Sequence, residues 1–185
     1  MLKTPVLQKM MDQLKEVNGA KIIVGVQKEP GINFHGHTVS ASEDLCKIAY
    51  VHEFGYDIEV IPEMRAWLHH NGIHLKKDTT HIHIPERSFV RQAHKEGMAQ
   101  FRQLKRELEG KVFTGKVTID EMLDTLGRDA MTNTFDNLGH GSTPVTKYTL
   151  EHRKDSPNPT PLIDTGSGIQ NHITYRVVKK GADSG

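Results

Sequence analysis

Cysteine is nearly absent from this 185-residue chain, with Cys46 alone. A lone thiol rules out an internal disulfide and fits a reducing cytosol. Within Glu43-Asp44-Leu45-Cys46-Lys47-Ile48 it reads as a spectator in a helix interior rather than a nucleophile. Long apolar runs are missing as well. None approaches the ~20 residues of a membrane span, and Met1-Leu2-Lys3-Thr4-Pro5 lacks the apolar stretch of a signal peptide, so no membrane partner is expected. Charge of one sign is also lacking: 24 Lys and Arg stand against 23 Asp and Glu, and the isoelectric point is ≈ 7.9. A dedicated duplex-DNA binder usually has a basic stripe or a value above ~9, so nucleic-acid binding is disfavoured. Hydrophobic residues make up 36% and the mean hydropathy is -0.53. These values predict one domain over 1–185 with a modest core.

Apolar spacing supplies the elements. Leu7, Met10, Met11, Leu14 and Val17 form a helical stripe over 3–17, which Asn18-Gly19 ends. Lys21 to Gln27 is short and β-branched, hence a strand. Residues 28–39 read as a long loop or hairpin. Ser40-Ala41-Ser42-Glu43 has capping-box spacing and opens a helix that Gly55 closes. Ile58 to Ile61 reads as a strand stopped by Pro62, followed by a short helix over 63–70 around Trp67. Segments 73–76 and 81–84 are expected to pair with each other. A long helix over 86–109 carries Val90, Ala93, Gly97, Phe101, Leu104 and Leu108 on one face, and Gly110 is its expected stop. Thr118-x-x-Glu121 caps a second long helix with Ile119, Met122, Leu123, Leu126 and Ala130 inward. Residues 139–161 read as a long loop, Ile173 to Val178 as the last strand, and 179–185 as a flexible tail. The fold class is α+β: a small, mostly antiparallel or mixed sheet with an N-terminal helix and two longer C-terminal helices packed on it.

Asp164-Thr165-Gly166 after Leu162-Ile163 looks like the catalytic turn of a retroviral-type aspartic protease. That chemistry needs two carboxylates sharing a proton, a flap and further strands. About twenty residues follow Asp164, too few for these at ~3.3 Å per strand residue. The turn is read instead as an Asx-type turn before the last strand. Twelve histidines raise the question of a metal site, and His35-x-His37 and His81-x-His83 each place two imidazoles on one strand face if they lie on strands. His52-Glu53 is followed by Tyr56 where a zincin needs its second histidine, so that motif fails. Gly139-His140-Gly141-Ser142 lacks the Gly-Lys-Ser/Thr of a phosphate loop. The expectation is no catalytic residue, no metal and no cofactor; a histidine- or metal-dependent hydrolase is the alternative from another class. The mixed charge on the 86–109 helix reads as a solvated face or a subunit interface.

Three segments, in order, carry a resemblance. They are Ile48-Ala49-Tyr50-Val51-His52-Glu53-Phe54-Gly55, Ile84-Pro85-Glu86-Arg87-Ser88-Phe89-Val90-Arg91, and Pro161-Leu162-Ile163-Asp164-Thr165-Gly166 leading to Ile173-Thr174-Tyr175, with Thr149-x-x-x-Arg153 before the last. Together they resemble the tailed-phage virion-morphogenesis and neck or tail-completion proteins, the Mu protein G-like group and its lambdoid relatives. Ser88 stands where that family often has proline, and Ser167-Gly168 adds a residue before Ile169. The resemblance implies a non-enzymatic α+β subunit of the virion neck or tail region, assembled in the host cytoplasm into a ring, hexameric or dodecameric. Its partners are then further copies of itself and neighbouring neck, connector or tail-tube proteins, with DNA only passing through the lumen; a tail terminator or minor tail protein is the nearest alternative. Glu53, Phe54, Gly55, Pro85, Arg87, Phe89, Leu162, Asp164, Thr165 and Gly166 become structural or interface candidates. Among them, Gly55 is expected to permit the helix exit, Pro85 to sit in the first turn of the long helix, Phe89 to anchor in the core, and Arg87 to pair with Glu53.

Overall fold

The structure, a computed structural model, describes residues 8, 11–12, 15, 17, 19–138, 162 and 168–179. The described residues of 8–17 are helical. Then come β1 (Lys21–Val26), β2 (Gly31–Asn33), β3 (Thr38–Val39), α1 (Glu43–Phe54), β4 (Tyr56–Glu59), α2 (Pro62–His70), β5 (His81–Ile84), α3 (Phe89–Phe113), α4 (Ile119–Asn137), a 3₁₀ turn (Ile169–His172) and β6 (Ile173–Val178). The fold is α+β. No described helix is long and apolar enough to cross a membrane.

The larger sheet has the order β1-β6-β2-β3, and every pairing in it is antiparallel. β6 is therefore interior, which explains why Ile173, Thr174 and Tyr175 are all buried. The 28–39 segment is not a free loop: it supplies β2 and β3, and Ile32 registers against Tyr175. Buried Asn33 holds the turn between them, accepting from the backbone N–H groups of His35 and His37. Gly31 is required for this pairing, because a Cβ there would come within 2.7 Å of the Thr174 hydroxyl.

α3 and α4 form a helical hairpin, of which α4 lies against β1 and β6. Ile119, Met122, Leu123 and Leu126 close one apolar cluster with Leu108, and Ile22, Val177 and Val17 pack on it. Each such fully buried side chain contributes about 1.5–3 kcal/mol. Gly127 lets α4 approach β6, since a Cβ there would sit 2.2 Å from the Tyr175 ring. The capping box at Thr118 forms as expected, with Thr118 Oγ1 accepting from the Glu121 N–H and the Glu121 carboxylate accepting from the Thr118 N–H.

Several boundaries differ from the sequence expectation. Ser42, not Ser40, caps α1, accepting from the Leu45 N–H. The strand after Gly55 is 56–59 rather than 58–61, and Pro62 starts α2 at its first turn, where a missing N–H costs nothing. Segment 81–84 pairs with β4, not with 73–76. The alternation decides this: Tyr56 and Ile58 register against Ile84 and Ile82, giving one apolar face and one polar face. Arg65 of α2 meanwhile binds the carbonyls of Lys76 and Thr79, holding the connection to the helix. α3 runs through Gly110 to Phe113. One helical glycine costs only about 1 kcal/mol, whereas continuing the helix brings Val112 onto the second cluster. The 139–161 loop, Asp164-Thr165-Gly166 and residues 180–185 lie outside the described residues.

Candidate functional site

The three segments singled out in the sequence meet in one apolar cluster. Ala49 comes from the first, Phe89 from the second, and Leu162, Ile173 and Tyr175 from the third, joined by Met131, Leu138 and Ile169. Phe89, only 2% exposed, is the anchor expected of it.

Above this cluster the end of α1 is tied to the start of α3. Gly55 closes α1 at φ 71 and ψ 161, a region that essentially only glycine occupies. A Cβ there would also lie 3.0 Å from the Glu86 N and 3.1 Å from the Ile84 carbonyl oxygen. The chain then makes the β4-α2-β5 excursion and returns beside its departure point. The Arg87 N–H donates to the His52 carbonyl at 2.7 Å, satisfying a C-terminal carbonyl of α1.

Glu53 is the centre of the joint. It is 5% exposed, and its carboxylate accepts from Ser88 Oγ at 3.0 Å, the Val90 N–H at 2.9 Å, the Arg91 N–H at 2.9 Å and Arg91 Nε at 3.0 Å. Val90 and Arg91 are the second and third residues of α3, whose first turn has no acidic residue and whose own N-cap, Ser88, makes no side-chain cap bond. Glu53 thus supplies from α1 the cap that α3 lacks, and its charge sits at the positive end of a 25-residue helix. Arg91 clamps the other side. Its Nη2 donates to the Glu53 carbonyl at 2.6 Å and to Glu86 at 2.8 Å, while its guanidinium stands 4.4 Å from the Phe54 ring centroid. The Glu53 carboxylate, with Glu86 beside it, raises the Arg91 pKa above its ordinary value against the effect of burial.

The expected Glu53–Arg87 pair is therefore replaced by Glu53–Arg91. Arg87 instead places Nη1 3.2 Å from His52 Nδ1. Arginine has only donors, so the imidazole accepts at that nitrogen. Burial lowers the Arg87 pKa, and its Nε is buried without a partner among the described residues. Pro85 also departs from expectation: it lies between β5 and the start of α3 at Phe89, outside the helix, and ends the strand. Leu162 is buried at 6%. Sequence reasoning missed Arg91 and Ser88 as partners of Glu53. The sequence carried no clear signal for them, because a helix read from residue 86 has Glu86 in its own first turn, and only the start at Phe89 leaves that turn without a carboxylate.

The described histidines meet at most in pairs, His69 and His74 with ring centroids 4.6 Å apart. His35 and His37 fall in or beside the β2–β3 turn with ring centroids 6.5 Å apart. On β5, His83 Nδ1 meets Asp57 at 2.7 Å. Among the described residues no group of three or more His, Cys, Asp or Glu is placed to hold a metal ion. Cys46 is half-buried, with its sulfur 3.8 Å from the Val26 carbonyl. A groove of about 440 Å³ lies beside Arg91 between β1, α3 and α4, with Val24, Val90, Met98 and Phe101 in its walls alongside His94 and Thr134. Comparison with protein-family models, with curated proteins and with solved structures returns no match.

Proposed function

We propose that this chain is a non-enzymatic structural subunit of a tailed-phage virion, forming a ring at the head–tail junction that joins or seals head and tail. The observation that carries the reading is the convergence of its three signature segments: Glu53 of the first caps the helix opened by the second, and Leu162 of the third packs in the core with Ala49 and Phe89. Glu53 receives four donors, three at Oε1 and one at Oε2, which suits a positioning role. The partners on this reading are further copies of the chain and the proteins stacked above and below it, with DNA passing through the lumen.

Mass photometry and negative-stain microscopy of the purified full chain test it. The expected result is a closed oligomer of fixed size, a hexamer or dodecamer, with a central opening. Particles that stay monomeric from nanomolar to millimolar concentration, together with virion necks free of this chain, refute it.

A further inference from the structure

We infer that the β4–β5 hairpin is the self-association edge, with β5 of one copy pairing antiparallel with β4 of the next. This rests on the ring reading above and names its contact surface.

The two strands form a sheet of their own, with no third strand on either side among the described residues. A two-stranded sheet is marginal by itself in water. The hydrogen-bonding phase follows from the register. The Val60 N–H donates to the Thr80 carbonyl, and the register runs Glu59 to His81, Ile58 to Ile82, Asp57 to His83 and Tyr56 to Ile84. Opposed residues in an antiparallel ladder alternate between bonded and non-bonded pairs. Val60/Thr80, Ile58/Ile82 and Tyr56/Ile84 are thus the bonded pairs. The N–H and C=O groups of Asp57 and Glu59 on β4, and of His81 and His83 on β5, point outward. All four residues are exposed, and no described backbone group bonds to their outward N–H or C=O.

Natural edges are blunted by very short strands, by charged side chains (lysine above all), by proline or a bulge, or are covered. β4 and β5 are short and β4 carries Asp57 and Glu59, a blunting that an edge of complementary charge can neutralise. Neither four-residue strand contains lysine or proline, and both are regular through the pairing. Side-chain charge then selects the partner. The β4 edge presents Asp57 and Glu59, and the β5 edge presents His81 and His83. Pairing β4 with β4 sets carboxylate against carboxylate, and β5 with β5 sets imidazole against imidazole. Only β5 with a neighbour's β4 brings imidazoles to carboxylates, repeating between copies the His83–Asp57 bond already made within one. That arrangement continues the antiparallel order and keeps the apolar faces on one side. It joins two different surfaces of the same chain, so it is heterologous, and heterologous contacts close into rings when the rotation permits.

The test is sedimentation velocity on the full chain. Proline at 83 removes an outward N–H and no ladder bond, so His83→Pro should weaken association at least 100-fold with an unchanged far-UV spectrum. Asp57→Lys/Glu59→Lys and His81→Glu/His83→Glu should each be monomeric, and mixing the two should restore the ring, which a misfolded variant cannot do. A wild-type ring that persists in His83→Pro and in both charge variants overturns this contact while leaving the ring reading intact. Folded monomeric charge variants that stay apart on mixing also overturn it. A wild-type chain monomeric at every concentration overturns the ring reading and this contact with it.

Discussion

Replacing Glu53 by glutamine separates charge from shape at the joint between α1 and α3. The amide can direct its oxygen at Ser88 Oγ, the Arg91 N–H and Arg91 Nε, the three donors now shared by Oε1. Its NH₂ then faces the Val90 N–H, donor against donor, where Oε2 accepted at 2.9 Å. Leaving that partly buried N–H without an acceptor costs about 1–2 kcal/mol, the lower part of the usual range. Removing a negative charge from the helix N-terminus adds about 0.3–1 kcal/mol. The ion pair adds little to this, because the Arg91 side chain is 49% exposed and largely screened. The expected loss is about 2–3 kcal/mol, or roughly 5–10 °C in Tm for a chain of this size. Thermal and urea unfolding followed by circular dichroism measure it. Arg87→Met is the comparison: it deletes a buried Nε without a partner among the described residues together with the Nη1 bond to His52 Nδ1, one bond rather than a capping charge, so its cost should be about 1 kcal/mol, below that of Glu53→Gln. A Glu53→Gln variant within about 0.5 kcal/mol of wild type, the scale of an ordinary surface substitution, or an Arg87→Met variant as damaging as Glu53→Gln, would refute the capping argument.

Two glycines in long helices should respond oppositely to alanine, as urea midpoints will show. Gly110→Ala meets nothing within 4 Å and should stabilise by up to about 1 kcal/mol through helix propensity; Gly127→Ala drives a Cβ to 2.2 Å from the buried Tyr175 ring and should cost about 1–3 kcal/mol despite the same propensity gain. The Tyr175 hydroxyl donates to Asp124, and burial first, then that carboxylate, pushes its pKa up to about 12. A raised folded value means this contribution is complete below pH ~10, the unfolded value, and is lost as pH rises toward about 12. Absorbance at alkaline pH should therefore show one of the four tyrosines ionising late, a step that Tyr175→Phe removes; simultaneous ionisation of all four would count against the buried bond.

The sequence by itself determined the class and most of the elements, because these depend on local patterns. Apolar spacing over Val90 to Leu108 and Ile119 to Ala130 marks the two long helices, and the β-branched runs at 21–27 and 173–178 mark paired strands β1 and β6. The Thr118 cap was legible because donor and acceptor lie three residues apart. What only the tertiary structure decided involves partners distant along the chain. Glu53 and Arg91 are 38 residues apart, and two arginines, Arg87 and Arg91, stand at the same turn. Composition and spacing favour neither. The choice follows from the direction of the returning chain, which places the Arg87 backbone on the end of α1 and points the first N–H groups of α3 at the Glu53 carboxylate. The pairing of β5 with β4 over its nearer neighbour 73–76 was likewise settled by which apolar faces coincide once α2 intervenes, a condition no local window contains.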